Sequence, residues 1–193
     1  FQHRSLERDL DVVLFNTQAP KSDYKLIPHG LLREPMSHLK RADIIIFTKS
    51  NGSEPSKKIL NAAKKTSHPI FYSSIRINGF SDSNSTTFKP KPNTKAVAVS
   101  AIADSQSFYR SLRDTSIDVV DKISYIDHYE FKQNDIEDFK KALVKSGADI
   151  IVTTEKDLVR LDTLDLKDIK LFTLNIEFEL DDNGKKHISS FLN

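Results

Sequence analysis

Asn134-Asp-Ile-Glu-Asp-Phe-Lys-Lys-Ala-Leu-Val-Lys-Ser-Gly-Ala-Asp-Ile-Ile-Val-Thr-Thr-Glu-Lys-Asp157 changes period once, and that change decides the fold class. Up to Ser146 the apolar residues Ile136, Phe139 and Leu143 recur at helical spacing, and Gly147 reads as the C-terminal stop. Residues 149–152 then turn continuously apolar after Asp149 instead of alternating, the pattern of a strand buried on both faces. Thr153 or Thr154 can cap a following helix, and Glu155 suits its first turn. Helix, stop, buried strand, cap and helix form the repeating unit of a parallel sheet wrapped on both sides.

Working outward, the same Val- and Ile-rich runs recur at 11–15, 43–47, 96–99 and 169–173. Between them lie segments of helical length: 53–64, with a Ser cap and an early Pro, and 104–112, with Phe108, Tyr109 and Leu112 on one face. The expected class is therefore α/β, with a mostly parallel sheet flanked by helices. One stretch departs from this rhythm. Residues 70–77 alternate as a half-exposed strand, Asn78-Gly79 and Ser81-Asp-Ser-Asn-Ser85 read as turn and loop, and 86–88 resume extended structure before Lys89-Pro-Lys-Pro92. This predicts a two-stranded antiparallel ribbon joining two lobes, with boundaries 1–68, 69–94 and 95–193. A plain surface hairpin within one domain fits the same pattern.

A length of 193 residues suits one domain or two small lobes. With 29 basic residues against 27 acidic ones, the charges nearly cancel, and aromatics do not interleave with basic clusters, which argues against a nucleic-acid partner. The absence of Cys excludes disulfides, thiol catalysis and thiolate metal sites, and fits a reducing compartment. No apolar run approaches the roughly 20 residues that span a bilayer. The chain opens on Phe1-Gln-His-Arg4 without an initiator Met, and is expected to be the interior of a longer protein.

Chemistry concentrates in a few places. His128, in Ile126-Asp127-His128-Tyr129, follows a strand expected at 119–125 and precedes the helix near Asn134. A loop beyond a strand's carboxyl end is where open α/β sheets bind ligands. Asp127 could orient the imidazole; a solvent-exposed Asp-His turn is the competing reading. Thr153-Thr-Glu-Lys-Asp157 occupies the equivalent place after the next strand, with Lys156 facing the sheet's carboxyl edge or solvent; capping alone accounts for most of it. Arg33-Glu34-Pro35 combines a phosphate-suited guanidinium with a fixed backbone, or is a structural Arg–Glu pair. Lys40 and Arg41 read as a solvated helix end, and His29, His38, His68 and His187 show no ligand spacing. No phosphate loop of the form G-x-x-x-x-G-K-[ST] occurs in the sequence.

Taken in order, Phe1-Gln-His-Arg4, Leu26-Ile-Pro-His-Gly-Leu-Leu-Arg-Glu-Pro35, Lys40-Arg-Ala-Asp43, Asp127-His128 and Thr153 to Asp157 resemble the tetraacyldisaccharide 4'-kinases, which phosphorylate the lipid A precursor in Gram-negative bacteria. The resemblance covers nearly the whole chain. It implies a P-loop kinase-like protein of two lobes joined by a two-stranded β-ribbon, with 1–68 the C-terminal part of the nucleotide-binding lobe, 69–94 the linker and 95–193 a second α/β lobe. It further implies a Walker A loop and a catalytic Asp upstream, and an acidic pair immediately before Phe1.

ATP with Mg2+ would then donate its γ-phosphoryl group to the 4'-hydroxyl of a tetraacyldisaccharide 1-phosphate, with the metal ligands outside these residues. The resemblance implies that His128, beside Asp127, works with the upstream Asp by orienting and tuning that base. It places His3, Arg33, Glu34, Lys156 and Asp157 near substrate or phosphate. It also implies peripheral contact, through an N-terminal region, with the cytoplasmic face of the bacterial inner membrane. On this reading residues 1–193 form an ATP-dependent lipid kinase that is incomplete and inactive alone; the rival is a non-catalytic doubly wound α/β binding module. Two departures stand out. Tyr129 replaces a second His, and Ala98-Val-Ser-Ala101-Ile-Ala-Asp104-Ser105 lacks the family's Gly and Pro in a tight turn.

Overall fold

The computed structural model describes residues 1, 3 and 5–191; Gln2 and Arg4 of the opening motif lie outside the described residues. The chain divides into two compact units, one of residues 1–76 with 178–193 and one of residues 77–177.

The first unit carries three parallel strands in the order β1 (Val12–Asn16), β2 (Ile44–Thr48) and β3 (Ile70–Ser81), the last of which continues into the second unit. Ile44-Ile-Ile-Phe47 is continuously apolar because both faces of β2 are covered. Ile45 and Phe47 pack with Ile59 and Ala63 of helix α1 (Lys57–Lys64) and with Leu39. Ile44 and Ile46 pack with Phe71, Leu180 and Ile188, the last from helix α5 (Asp182–Ser189).

The second unit is built on four parallel strands in the order β8, β7, β5, β6: β8 (Leu171–Leu180), β7 (Ile150–Thr154), β5 (Thr94–Ser100) and β6 (Ile117–Ser124). Alternate residues serve opposite faces. Ala96, Ala98, Ile150 and Val152 meet Phe108, Tyr109 and Leu112 of helix α2 (Ser105–Arg113). Val97, Val99 and Ile151 meet Ile136 and Phe139 of helix α3 (Gln133–Ser146), and Leu161 of helix α4 (Glu155–Leu161). Gly147 ends α3 at φ 63°, as its place after Ser146 predicts. The fold class expected from the sequence is the one observed.

The ribbon and the division differ from expectation. Strand β3 does not stop at Asn78-Gly79: it runs to Ser81, with Gly79 absorbing a φ of 104° that a side chain would resist. The turn falls instead at Asp82, whose Oδ1 accepts from the Asn84 and Thr86 amides (2.9 and 2.8 Å). The returning segment pairs only through β4 (Thr87–Phe88), since the Pro residues that follow have no N–H to donate. The long neighbour of β3 is β8. In the second unit Thr173 Oγ1 donates to the Ser81 carbonyl (3.2 Å); in the first, the Tyr72 amide donates to Asp181 (2.6 Å).

The chain thus crosses between units twice, at 76/77 and 177/178, and residues 178–193 belong with the first unit instead of a lobe at 95–193. The physical reason is the apolar face of β2, which Leu180 and Ile188 cover.

Candidate functional site

The Asp127-His128 pair is pushed outward by the two tyrosines that flank it. Beyond β6 the Tyr125 amide donates to the Ser100 carbonyl (2.9 Å), and Tyr129 N–H closes a turn onto the Ile126 carbonyl (3.2 Å). The two rings stack at 4.4 Å and pack on Phe131. Both phenols donate to Oδ1 of the buried Asp135 (3.4 and 3.3 Å), whose Oδ2 takes the Lys132 amide at the head of α3. Desolvation, with the Asp135 charge behind it, pushes both phenols above their ordinary pKa, so they stay donors. His128 occupies the third position of this turn at φ 61°, an uncommon conformation for a residue with a side chain, costing on the order of 1 kcal/mol. The clamped tyrosines on either side impose it. Tyr129 is therefore used: it supplies a stacking face and a hydroxyl at the position where the family pattern has a second His.

Asp127 organises the turn's polar tip. Its Oδ1 accepts the His128 amide (3.0 Å) and faces Lys156 Nζ at 3.5 Å, while Oδ2 lies 3.6 Å from His128 Nε2. Partial desolvation would raise its pKa. The charges of His128 and Lys156, and the hydrogen bonds from Lys156 and the His128 amide, outweigh that and hold the carboxyl below its ordinary range.

Thr153 to Asp157 fix helix α4 to the sheet edge. Thr153 Oγ1 donates to the Val99 carbonyl (2.9 Å), and Thr154 Oγ1 caps α4 by accepting the Asp157 amide (3.1 Å). Asp157, expected near substrate, is instead fully buried: Oδ2 accepts from the Ala101 amide (3.0 Å) and the Thr154 hydroxyl (2.8 Å). It latches α4 to the loop after β5. That latch, with Asp104 capping α2 through the Ser107 amide (3.0 Å), holds the loop that lacks the family's Gly and Pro. Oδ1 of Asp157 faces Arg160 Nη1 at 3.3 Å, and Arg160 Nη2 reaches His128 Nδ1 at 3.2 Å. Sequence reasoning missed Arg160, although the i, i+3 and i, i+4 spacing from Asp157 and Lys156 puts all three on neighbouring positions of α4.

His3, Arg33 and Glu34 belong to the first unit, where they line a cavity of about 690 Å³ together with Asn16, Tyr24 and Leu31. Pro35 opens a 3₁₀ turn (Met36–Arg41) that returns His38 and Arg41 to Glu34. His38 Nδ1 lies 3.1 Å from Glu34 Oε2, and Arg41 Nη2 donates to the same oxygen while its guanidinium sits 4.6 Å from the Phe1 ring centre. His38, which shows no ligand spacing in the sequence, and Arg41, which reads there as a solvated helix end, thus hold the Glu34 carboxylate. The structure brings Asp127, His128 and Lys156 together in one unit and His3, Arg33 and Glu34 together in the other. Among the described residues no cluster of three or more His, Asp or Glu side chains could hold a metal ion. The described residues do not fit a resident Mg2+ site.

A mostly parallel sheet with helices on both faces, and polar side chains beyond its strands' carboxyl ends, defines an open α/β protein of the class that binds ligands at that edge. The fold matches the crystal structure of the "apo" form of LpxK from Aquifex aeolicus in complex with ATP, at a TM-score of 0.62 and 24% identity, over 98% of this chain and 54% of that one. A family model described as tetraacyldisaccharide-1-P 4'-kinase matches residues 1–193, and the chain belongs to that family. The tetraacyldisaccharide 4'-kinase of Halothermothrix orenii is 31% identical over 93% of this chain and 52% of its own length. That of Syntrophobacter fumaroxidans is 33% identical over 83% of this chain and 44% of its own length. The chain spans about half the length of the curated relatives it matches.

Proposed function

We propose that this chain is the part of a lipid A 4'-kinase that presents His128 to the reaction. The whole enzyme transfers the γ-phosphoryl group of ATP to the 4'-hydroxyl of a tetraacyldisaccharide 1-phosphate. The nucleotide cradle, the Mg2+ ligands and a catalytic carboxylate come from sequence beyond these residues. Family membership supports the reaction class. The observation that carries the reading is the strained His128, held outward by stacked tyrosines with its ring between Asp127 and Arg160. Backbone strain that the surroundings impose is characteristic of functional positions.

His128 and Asp127 orient and tune the base, Lys156 keeps Asp127 ionised, and Asp157 fixes the helix that bears Lys156. His3, Arg33 and Glu34, at the cavity of the first unit, are proposed to face substrate or phosphate. The enzyme would work at the cytoplasmic face of the inner membrane of a Gram-negative bacterium. Its peripheral contact comes through an N-terminal region. The Lys40, Lys58 and Lys65 side chains around a groove beside α1 supply a basic face suited to anionic lipid. Residues 1–193 alone are inactive.

The test joins residues 1–193 to the half of a relative that they do not match and measures phosphoryl transfer. His128→Ala should lower kcat by ~10²-fold or more, the usual scale for acid–base participation. An unchanged kcat would make the Asp127-His128 turn structural.

A further inference from the structure

Arg160 lies outside every motif by which the site was read, yet it is the side chain that meets the His128 ring on its Nδ1 edge. Nη2 is 3.2 Å from Nδ1, while Nη1 donates to Asp157 Oδ1 and to the Ala101 carbonyl, both at 3.3 Å. Asp157 and Ala101 are wholly buried, and the Arg160 side chain is only 21% exposed, so the guanidinium is anchored in place.

A guanidinium carries donors and no acceptor, and it does not lose its proton in proteins. The atom it meets must therefore accept: in the neutral ring Nδ1 holds the lone pair and the proton sits on Nε2. Nε2 is the nitrogen on the Asp127 side, 3.6 Å from Oδ2, which is beyond a hydrogen bond. Its N–H remains available to a closer acceptor, and 72% exposure of the His128 side chain lets one approach.

We infer that Arg160 is a positioning residue that fixes His128 in the Nε2–H tautomer, so that the ring acts as a hydrogen-bond donor toward an oxyanion, a carboxylate or phosphoryl oxygen, and not as a proton acceptor. This rests on the reading of His128 as the functional histidine and specifies what the ring does there. The neutral ring has no free lone pair: Nδ1 is engaged by Arg160, and the Nε2 lone pair is replaced by its proton. General-base removal of the acceptor's hydroxyl proton thus falls to another group, and His128 steers it.

The test is the ¹⁵N shift pair of the neutral His128 ring in residues 1–193, assigned by its loss in His128→Gln. A pyridine-type Nδ1 with a pyrrole-type Nε2 is expected. Arg160→Met, which keeps the aliphatic stem, should let the Nδ1–H form appear, and in the joined kinase should lower kcat by about 10-fold with KM unchanged. A pyrrole-type Nδ1 in the unsubstituted chain overturns the inference without any variant. So does a folded Arg160→Met that keeps the original shift pair. If the tautomer is as expected but His128→Ala leaves kcat untouched, the functional reading falls while the tautomer assignment stands.

Discussion

Asp127 and Asp157 sit 30 positions apart in sequence and show how differently one side chain can be used. Asp127 is solvated, and its folded pKa is lowered by its cationic neighbours. Its contribution to stability is therefore fully present above the unfolded value of about 3.9 and is lost as pH falls through the lower folded value. Replacing Lys156 by Met should move the Asp127 midpoint upward, as read from its carboxyl ¹³C shift; an unmoved midpoint would show that the 3.5 Å contact carries no charge coupling. Asp157 is a buried latch with three partners. Asp157→Ala strands the Ala101 amide and leaves Arg160 without its anion, which should cost roughly 3 kcal/mol in urea denaturation. His128, Asp127 and Lys156 could be picked out of the sequence because each follows a recognisable strand. Arg160 could not, since a lone Arg on a helix carries no signal until the turn that folds against it is known.

At the scale of elements, legibility followed burial. Strands β2, β5 and β7 could be read because two covered faces demand uninterrupted apolar residues, and α3 because its apolar period ends on Gly147. Helix α5 could not: Asp181-Asp-Asn-Gly-Lys-Lys carries no apolar period. The structure uses Gly184 for close approach, since a Cβ there would meet Leu180 Cγ at 2.7 Å and Phe71 Cγ at 3.0 Å. Asp181 makes the helix possible by capping it through the Gly184 amide (2.7 Å). Gly184→Ala should therefore lift α5 from β2 and β3. Hydrogen exchange should quicken in β1 and β2 while β5 and β7 stay protected; uniform protection would place α5 outside the first unit's core. Strand β3 misled for the opposite reason. Asn78-Gly79 is a strong short turn signal, but Gly79 also tolerates a strand irregularity, and long-range pairing with β8 decided between the two.

For the whole molecule, the chain spans about half the length of its relatives and folds as two units threaded twice by the same pair of strands. The residues implied by family resemblance are distributed between both units, His3, Arg33 and Glu34 in one and Asp127, His128 and Lys156 in the other. Each set is supported locally: Glu34 by His38 and Arg41, and Asp127 by Lys156. On this account the units supply prepared parts of a kinase, and the nucleotide cradle comes from elsewhere. The direct test is ATP-dependent phosphorylation of tetraacyldisaccharide 1-phosphate, measured for residues 1–193 alone and for the same residues joined to the half of the Halothermothrix orenii relative that they do not match. The account predicts no transfer by the chain alone and transfer by the joined protein. Robust transfer by residues 1–193 alone, or a folded joined protein that binds the disaccharide but never phosphorylates it, would contradict it.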